Sequence, residues 1–137
     1  MAQVIDASVA VAWCARSQAT DLTEAALKAV VAIGGHIPAI FWFEVLHGLV
    51  GLEHRGILPR IHVDEFAERL AEFPLLIDAA RNSFELVNLY RFAREHRLNM
   101  YDASYLDLAL RLRLPLATRD ASLARAAQTA GVTLFTA

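Results

Sequence analysis

The sequence predicts an α/β domain in which helices cover both faces of a parallel sheet. Short runs rich in aliphatic and β-branched residues alternate with longer amphipathic segments along all 137 residues. No repeat, low-complexity tract or long linker interrupts this alternation. A chain of this length typically forms one domain, so we expect residues 1–137 to fold as a single unit.

The predicted strands are short apolar runs bounded by turn or cap residues. They lie at residues 3–5, 36–39, 75–78, 116–118 and 132–135. The predicted helices show helical spacing of apolar residues. They lie at residues 9–13, 24–33, 41–55, 65–72, 84–93, 102–113 and 121–130.

Polar residues near the helix starts are the predicted N-caps, because their side chains accept hydrogen bonds from free amides of the first turn. Ser8, Asp64 and Ser83 take this role, and either Asp21 or Thr23 opens the second helix. Glycines follow several of the helices, as is common at helix C-termini.

The helix at residues 41–55 is apolar on nearly all sides, so we expect it to be buried on more than one side. The whole chain is 56% apolar, against ~45–50% in an average domain. This excess indicates either a very apolar core or an apolar face that packs on another chain. We take residues 41–52 and 9–13 as the candidate contact surfaces.

The composition argues against membrane and secreted classes. The longest stretch without a charged residue, 29–43, is interrupted by polar and turn residues and falls short of the ~20 apolar residues that a span needs. The first residues contain Asp6 and no basic segment precedes it, so no signal peptide is expected. The single Cys14 excludes an internal disulfide. We expect a cytoplasmic protein without membrane association.

Four acids are predicted to meet at the carboxyl edge of the sheet, where ligands gather in α/β folds. Asp6 follows the first strand and Asp120 follows the fourth. Asp102 lies at a helix start, where the helix dipole alone would favour it. Each aspartate therefore has an ordinary structural alternative, namely a turn for Asp6 and an N-cap for Asp120.

Glu44 argues most strongly for a functional site. It is the only acid in an otherwise apolar helix turn, and no Lys or Arg lies within a turn of it. A buried carboxylate without a partner costs several kcal/mol. The alternative is a Glu44 at the helix rim that faces water.

Converging carboxylates repel one another unless a cation lies between them. Mg²⁺ binds a few carboxylates together with waters and substrate phosphate, and Mn²⁺ suits similar oxygen sites. Thr118 adds a hydroxyl two residues before Asp120. The net charge of −2 becomes +2 when the four acids are left out, so a mildly basic body surrounds the acids. The residues alone predict a carboxylate-held Mg²⁺ or Mn²⁺ ion and phosphoryl chemistry.

Four segments carry a family resemblance: VIDASVAVAW, PAIFWFEVLHGL, YDASYLDLAL and LATRDASL. They resemble the four motifs of PIN-domain proteins, and most closely those of VapC-type ribonuclease toxins of bacterial type II toxin–antitoxin modules. The likeness runs over residues 3–135, and four motifs in this order and spacing are fairly specific. The resemblance implies an α/β/α sandwich with a five-stranded parallel sheet of order 3-2-1-4-5.

The resemblance also implies a Mg²⁺/Mn²⁺-dependent endoribonuclease in which a metal-activated water attacks a phosphodiester. Motif by motif, Asp6, Glu44, Asp102 and Asp120 match the family's catalytic and metal-holding acids. Thr118 matches a position that often carries a small polar residue. Members of the family commonly form homodimers and are silenced by a small VapB-type antitoxin that wraps an apolar groove.

Two positions depart from the family pattern. His47 stands where Asn is common three residues after Glu44. We expect it to tune the site by hydrogen bonding, or alternatively to pack at an interface. Ala121 and Ser122 stand where a basic residue is frequent, which would weaken phosphate contacts.

Several further interpretations stay open. The basic row at residues 91, 94 and 97 is a solvated face or an RNA contact, and Tyr105 is assigned to the core. Two alternatives to the ribonuclease are a catalytically silent PIN scaffold and a nuclease acting on structured DNA. All four acids are present, which favours an enzyme, and no long insertion for gripping a duplex is found.

Overall fold

A short parallel sheet organises the chain, as seen in a computed structural model that describes residues 2–79 and 81–137. Within those residues the sheet has four strands in the order β3-β2-β1-β4, and all neighbouring pairs are parallel. The strands are β1 (Val4–Ile5), β2 (Gly35–Ile37), β3 (Leu75–Ile77) and β4 (Leu116–Ala117). Val4 lies opposite both His36 and Leu116, so β1 is central.

Helices connect successive strands and flank the sheet, which confirms the predicted fold class. They are α1 (Ala7–Cys14), α2 (Asp21–Ile33), α3 (Phe41–His54), α4 (Arg60–Leu70), α5 (Ser83–Glu95), α6 (Met100–Leu112) and α7 (Ala121–Thr129). A short 3₁₀ turn, Arg16–Gln18, follows α1. Among the described residues, no helix combines the length and the apolar character needed to cross a bilayer.

The prediction of a fifth strand at residues 132–135 is wrong, although this segment does lie beside β4. Leu134 makes one isolated parallel bridge to Leu116 of β4. Two hydrogen bonds of 2.9 Å hold it, one from the amide of Leu116 to Thr133 O and one from the amide of Phe135 to Leu116 O. The amide of Val132 is bonded to Ala127 O of α7 at 2.8 Å instead of to the sheet. The bond of Val132 to the end of α7 therefore keeps this segment from pairing with β4 over its full predicted length.

The N-caps predicted for four helices are wrong, because each of these helices begins further upstream than predicted. Asn82 caps α5 in place of Ser83, in a reciprocal pair with Glu85. Pro59 precedes α4, and Asp64 instead lies a turn inside it, 3.7 Å from Arg60.

The other helix starts also lie upstream of their predicted positions. Thr20 caps α2 and bonds reciprocally with Thr23, so neither Asp21 nor Thr23 is the cap. Ser8 lies inside α1, and its hydroxyl is used at the sheet edge described below.

Helix α3 is buried on one side only, which corrects the expectation of burial on several sides. Its buried residues repeat at helical spacing and are Phe41, Val45, Leu49 and Leu52. Large apolar side chains on another side are exposed, namely Phe43, Leu46 and Val50. Helix α1, by contrast, packs against both α2 and α3 and buries most of its apolar residues. It therefore offers little free surface for a partner, contrary to the expectation for residues 9–13.

Helices α1 and α3 are in tight contact at Gly48. A Cβ added at Gly48 would lie 2.8 Å from Val11 Cγ2, which is too close for a normal contact. Val is stiff at χ1 in a helix, so Val11 cannot simply turn away. This contact sets the distance between the helix that follows Asp6 and the helix that carries Glu44.

We predict that Gly48→Ala destabilises the fold by about 1 kcal/mol or more, because overpacking outweighs the gain in helix propensity. Gly51→Ala, in the same helix, is the matched control. Its added Cβ would meet only the flexible side chain of Arg55 at 3.9 Å. It should stabilise the protein by roughly 0.5–1 kcal/mol. Urea unfolding measures both, and equal effects of the two changes would contradict the close-packing argument.

Candidate active site

The four predicted acids lie together at the carboxyl edge of the sheet and line one open cleft of about 320 Å³. Asp6 directly follows β1, and its amide donates to Ala117 O of β4 at 3.0 Å. Glu44 stands in the first turn of α3, and Asp102 in the first turn of α6. Asp120 is the N-cap of α7. Two adjacent strand ends and two helix starts therefore supply one carboxylate each.

Asp6 is the most buried and the most firmly held of the four, with 4% of its surface exposed. Its Oδ2 accepts hydrogen bonds from Ser8 Oγ at 2.6 Å and from Thr118 Oγ1 at 2.7 Å. Backbone amides hold both hydroxyls in place. Thr118 Oγ1 accepts a hydrogen bond from the amide of Asp120 at 3.0 Å. Ser8 Oγ accepts one from the amide of Arg119 at 3.1 Å. The carboxylate is thus oriented before any ligand arrives.

Asp102 and Asp120 combine structural positions with access to the cleft. Asn99 caps α6 by accepting from the amide of Asp102 at 2.7 Å, so the Asp102 carboxylate is not needed as a cap. Asp120 Oδ1 accepts from the amides of Ser122 and Leu123 at 2.8 and 3.1 Å. The N-cap alternative for Asp120 is therefore correct, and it coexists with a place in the cleft.

Glu44 carries an unsatisfied oxygen. Its Oε1 is buried and has no hydrogen-bond partner, and the same is true of the Tyr105 hydroxyl. The two groups are close enough for Tyr105 to lower the pKa of Glu44, yet they do not meet hydrogen-bond geometry. Unpaired buried polar atoms are costly, so a bound cation or an ordered water in the cleft would stabilise this corner.

Burial and mutual repulsion raise the pKa of three of the acids. Burial raises the pKa of Asp6, and the Asp120 charge adds to this against the hydrogen bonds from Ser8 and Thr118. Burial also raises the pKa of Glu44, with smaller contributions from the charges of Asp6 and Asp102. For Asp102, burial followed by the charges of Asp120 and Asp6 raises the pKa to about 6. The charged forms of these three acids are therefore disfavoured in the metal-free cleft.

The donor set fits a hard divalent cation held partly through water. All four groups offer carboxylate oxygens, and the orphaned Oε1 of Glu44 lacks a donor. Within the described part of the chain, no three His, Cys, Asp or Glu side chains are grouped closely enough to form a ready-made metal cage. Mg²⁺ does not require one, since it commonly binds one or two carboxylates and keeps several waters.

Residues outside the predicted set also shape the cleft. Gln18 and Arg119 line it, and Arg119 Nη1 donates to Gln18 Oε1 at 3.0 Å. Tyr105 is in the core as predicted, and its hydroxyl faces Glu44. The only sequence signal for Arg119 was its place between Thr118 and Asp120. His47 is exposed and is not part of the cleft lining.

Comparison with known proteins places the chain in a family. The sequence-family model of the PIN domain matches residues 4–128 of this chain. The chain belongs to the PIN-domain family. Ribonuclease VapC3 of Mycobacterium tuberculosis, from strains CDC 1551 / Oshkosh and ATCC 25618 / H37Rv, is 32% identical to this PIN domain over 123 residues. The match covers 90% of this chain and 85% of the relative.

A solved structure shares the fold of this PIN domain. It is titled the crystal structure of PAE2754 from Pyrobaculum aerophilum and superposes with a TM-score of 0.72. The match covers 98% of this chain and 84% of the other, at 23% identity. The match to the PIN-domain family confirms the predicted resemblance, and the superposition confirms the predicted fold class.

We predict that Asp102→Asn stabilises the metal-free protein at pH 7 by about 1 kcal/mol, since solvent screens part of the repulsion at this half-exposed group. An acid with a raised pKa binds its proton more tightly in the folded state. The free energy of unfolding of the wild type therefore falls as the pH rises from about 4 to about 6.

Urea unfolding in EDTA at pH 4 and pH 7 measures this effect. The gain from Asp102→Asn should be present at pH 7 and nearly absent at pH 4. Asp64→Asn, which removes a charge from an exposed position outside the cleft, is the control. A loss of stability for Asp102→Asn at pH 7 would show that the acids do not repel one another.

Proposed function

We propose that this chain is a metal-dependent endoribonuclease of the VapC type, the toxin of a toxin–antitoxin pair, and that residues 1–137 form its single PIN domain. The observation that carries the proposal is the meeting of Asp6, Glu44, Asp102 and Asp120 in one cleft. The pKa values of the first three are raised, and Glu44 has a buried carboxylate oxygen without a partner. The similarity to Ribonuclease VapC3 supports RNA as the substrate.

Each acid has a part in the proposed site. Asp6, fixed by Ser8 and Thr118, is the oriented ligand, while Glu44 and Asp102 supply the negative charge that a cation would neutralise. When bound, Mg²⁺ or Mn²⁺ would supply an activated water and charge stabilisation for phosphodiester hydrolysis. Asp120 would contribute its oxygen that does not cap α7. His47 stays at most a remote auxiliary, since it lies outside the cleft lining.

The main alternative is a catalytically silent PIN scaffold. The absence of a ready-made metal cage among the described residues is the observation in its favour. Against it, a scaffold has no need of three carboxylates whose charged forms are disfavoured by burial and repulsion. A nuclease acting on structured DNA is a further alternative, and comparing RNA with branched DNA as substrates separates the two.

An exposed apolar surface supports the proposed partners, a second copy of the chain and a VapB-type antitoxin. Phe43 of α3 and Phe84 of α5 are 76% and 83% exposed. Phe43 also lines an apolar groove of about 340 Å³, together with Leu86 and Tyr101. Such an exposed apolar surface is unusual on a monomeric protein in water. We also propose that the protein works in the cytoplasm. Light scattering of the isolated chain that shows only monomer at high concentration would contradict the homodimer.

We predict that the purified chain cleaves total RNA with Mg²⁺ or Mn²⁺ and not in EDTA, and that Asp6→Asn lowers the rate by at least about 100-fold. Asp6 is the best-oriented carboxylate, and small losses of orientation in such sites are costly. Sequencing of the cut ends would identify the target. Asp64→Asn is the matched control and should cleave like the wild type.

Two outcomes decide between the proposals. Full activity of Asp6→Asn, with the fold checked by circular dichroism, would overturn the proposed site. No cleavage under any condition, together with no Mn²⁺ binding by the folded chain, would favour the scaffold.

A further inference from the structure

A second cleft, of about 630 Å³, lies between the turn that joins α5 to α6 and one side of α7. Its polar lining comes from His96 and Arg97 on the turn and from Ser122, Arg125 and Thr129 on α7, with Glu95 as the one acid. Both segments that form the walls of this cleft are continuous in sequence with residues of the candidate active site. The turn runs on into Asn99 and Asp102, and α7 begins after Asp120.

The two arginines of this cleft are free to bind a ligand. Arg97 and Arg125 are exposed, and neither has a carboxylate within 4.0 Å among the described residues. Arg125 makes only a long contact of 3.5 Å to Ser122 Oγ. By contrast, Arg81 and Arg111 are both engaged by Asp78 and Asp107.

Arg97 holds an unusual backbone conformation. Its φ is 56°, in the left-handed region that favours glycine. The turn is closed by Leu98 N donating to Ala93 O at 2.9 Å, a common way for a helix to end. Arg113 at the end of α6 has the same φ of 56°. It leads into β4 and so lies at the opposite edge of the sheet, about 20 Å of helix away from Arg97.

The candidate active site itself repels the substrate that it is proposed to cut. Its four carboxylates face an RNA backbone that carries one negative charge per nucleotide, and the residues after Asp120 are Ala121 and Ser122, which add no positive charge. Arg119 provides a cation on one side of the acids. The free arginines of the second cleft lie on the two segments that supply acids to the site, Arg97 five residues before Asp102 and Arg125 five residues after Asp120.

We propose that the cleft between the α5–α6 turn and α7 binds a backbone phosphate of single-stranded RNA beside the cleaved bond, through Arg97 and Arg125. This inference rests on the proposed ribonuclease function and adds a substrate subsite to it. Guanidinium groups match phosphate oxygens in a bidentate geometry. Of the two interpretations of the basic row, the proposal assigns RNA contact to Arg97 and a solvated face to Arg91 and Arg94, which do not line the cleft.

The test is metal-free binding of a fluorescein-labelled single-stranded RNA of about 20 nucleotides, followed by anisotropy over a range of salt concentrations in EDTA. Arg97→Gly and Arg125→Gln should each weaken binding about three- to fivefold at moderate salt. Each should also reduce the slope of log K against log salt by about 0.7, the loss of one phosphate contact to a single strand.

Arg113→Gly is the matched control, because it makes the same substitution at the same backbone conformation and removes the same charge. Glycine suits the left-handed position, so both glycine variants should keep the fold. Arg113→Gly should leave both the affinity and the salt slope unchanged.

The outcomes separate this inference from the proposed function. Wild-type RNA cleavage with unchanged RNA binding by both cleft variants would overturn the subsite and keep the ribonuclease. Weaker binding of the cleft variants without any wild-type cleavage would keep RNA binding by this cleft and overturn the ribonuclease. No RNA binding by the wild type, or an equal loss in Arg113→Gly, would overturn the subsite.

Discussion

The repulsion among four carboxylates held in one cleft is the constraint on which the structure of this site depends. Asp6 is fixed at the end of the central strand, Asp102 and Asp120 stand at helix starts, and Glu44 leaves a buried oxygen unpaired. Nothing in the apolar packing of the fold requires this arrangement, which raises the pKa of three acids. A cation that binds among these acids reduces their mutual repulsion and so stabilises the folded state.

The rest of the fold supplies the rigidity that the cluster needs. Parallel pairing of β1 with β4 brings Asp6 next to Thr118, and the tight contact of Gly48 with Val11 holds α3 against α1. The acids cannot relax apart without breaking this packing. The basic cleft and the apolar groove have no lining residue in common. The proposed RNA contact and the proposed protein contacts therefore use different side chains.

The features that the sequence predicted well are those determined by local pattern. The strand ends and the helix starts are marked by short apolar runs and polar caps, so the places of Asp6, Asp102 and Asp120 followed directly. The errors arose where two polar residues compete for one role, as with Asn82 and Ser83 at the start of α5. The exposed side of α3 and the missing fifth strand depend on long-range packing that no local pattern encodes. Whether Arg97 forms an ion pair likewise depends on which carboxylates lie near it in the folded chain.

The most direct test of the account is a calorimetric titration of Mn²⁺ into the folded chain at neutral pH, with Glu44→Gln and Asp64→Asn in parallel. The account predicts saturable binding to the wild type and to Asp64→Asn, and binding at least about tenfold weaker for Glu44→Gln, since a ligand or its outer-shell partner is lost. Absence of binding to the wild type, or equal binding to Glu44→Gln, would contradict the claim that the four acids form a metal site.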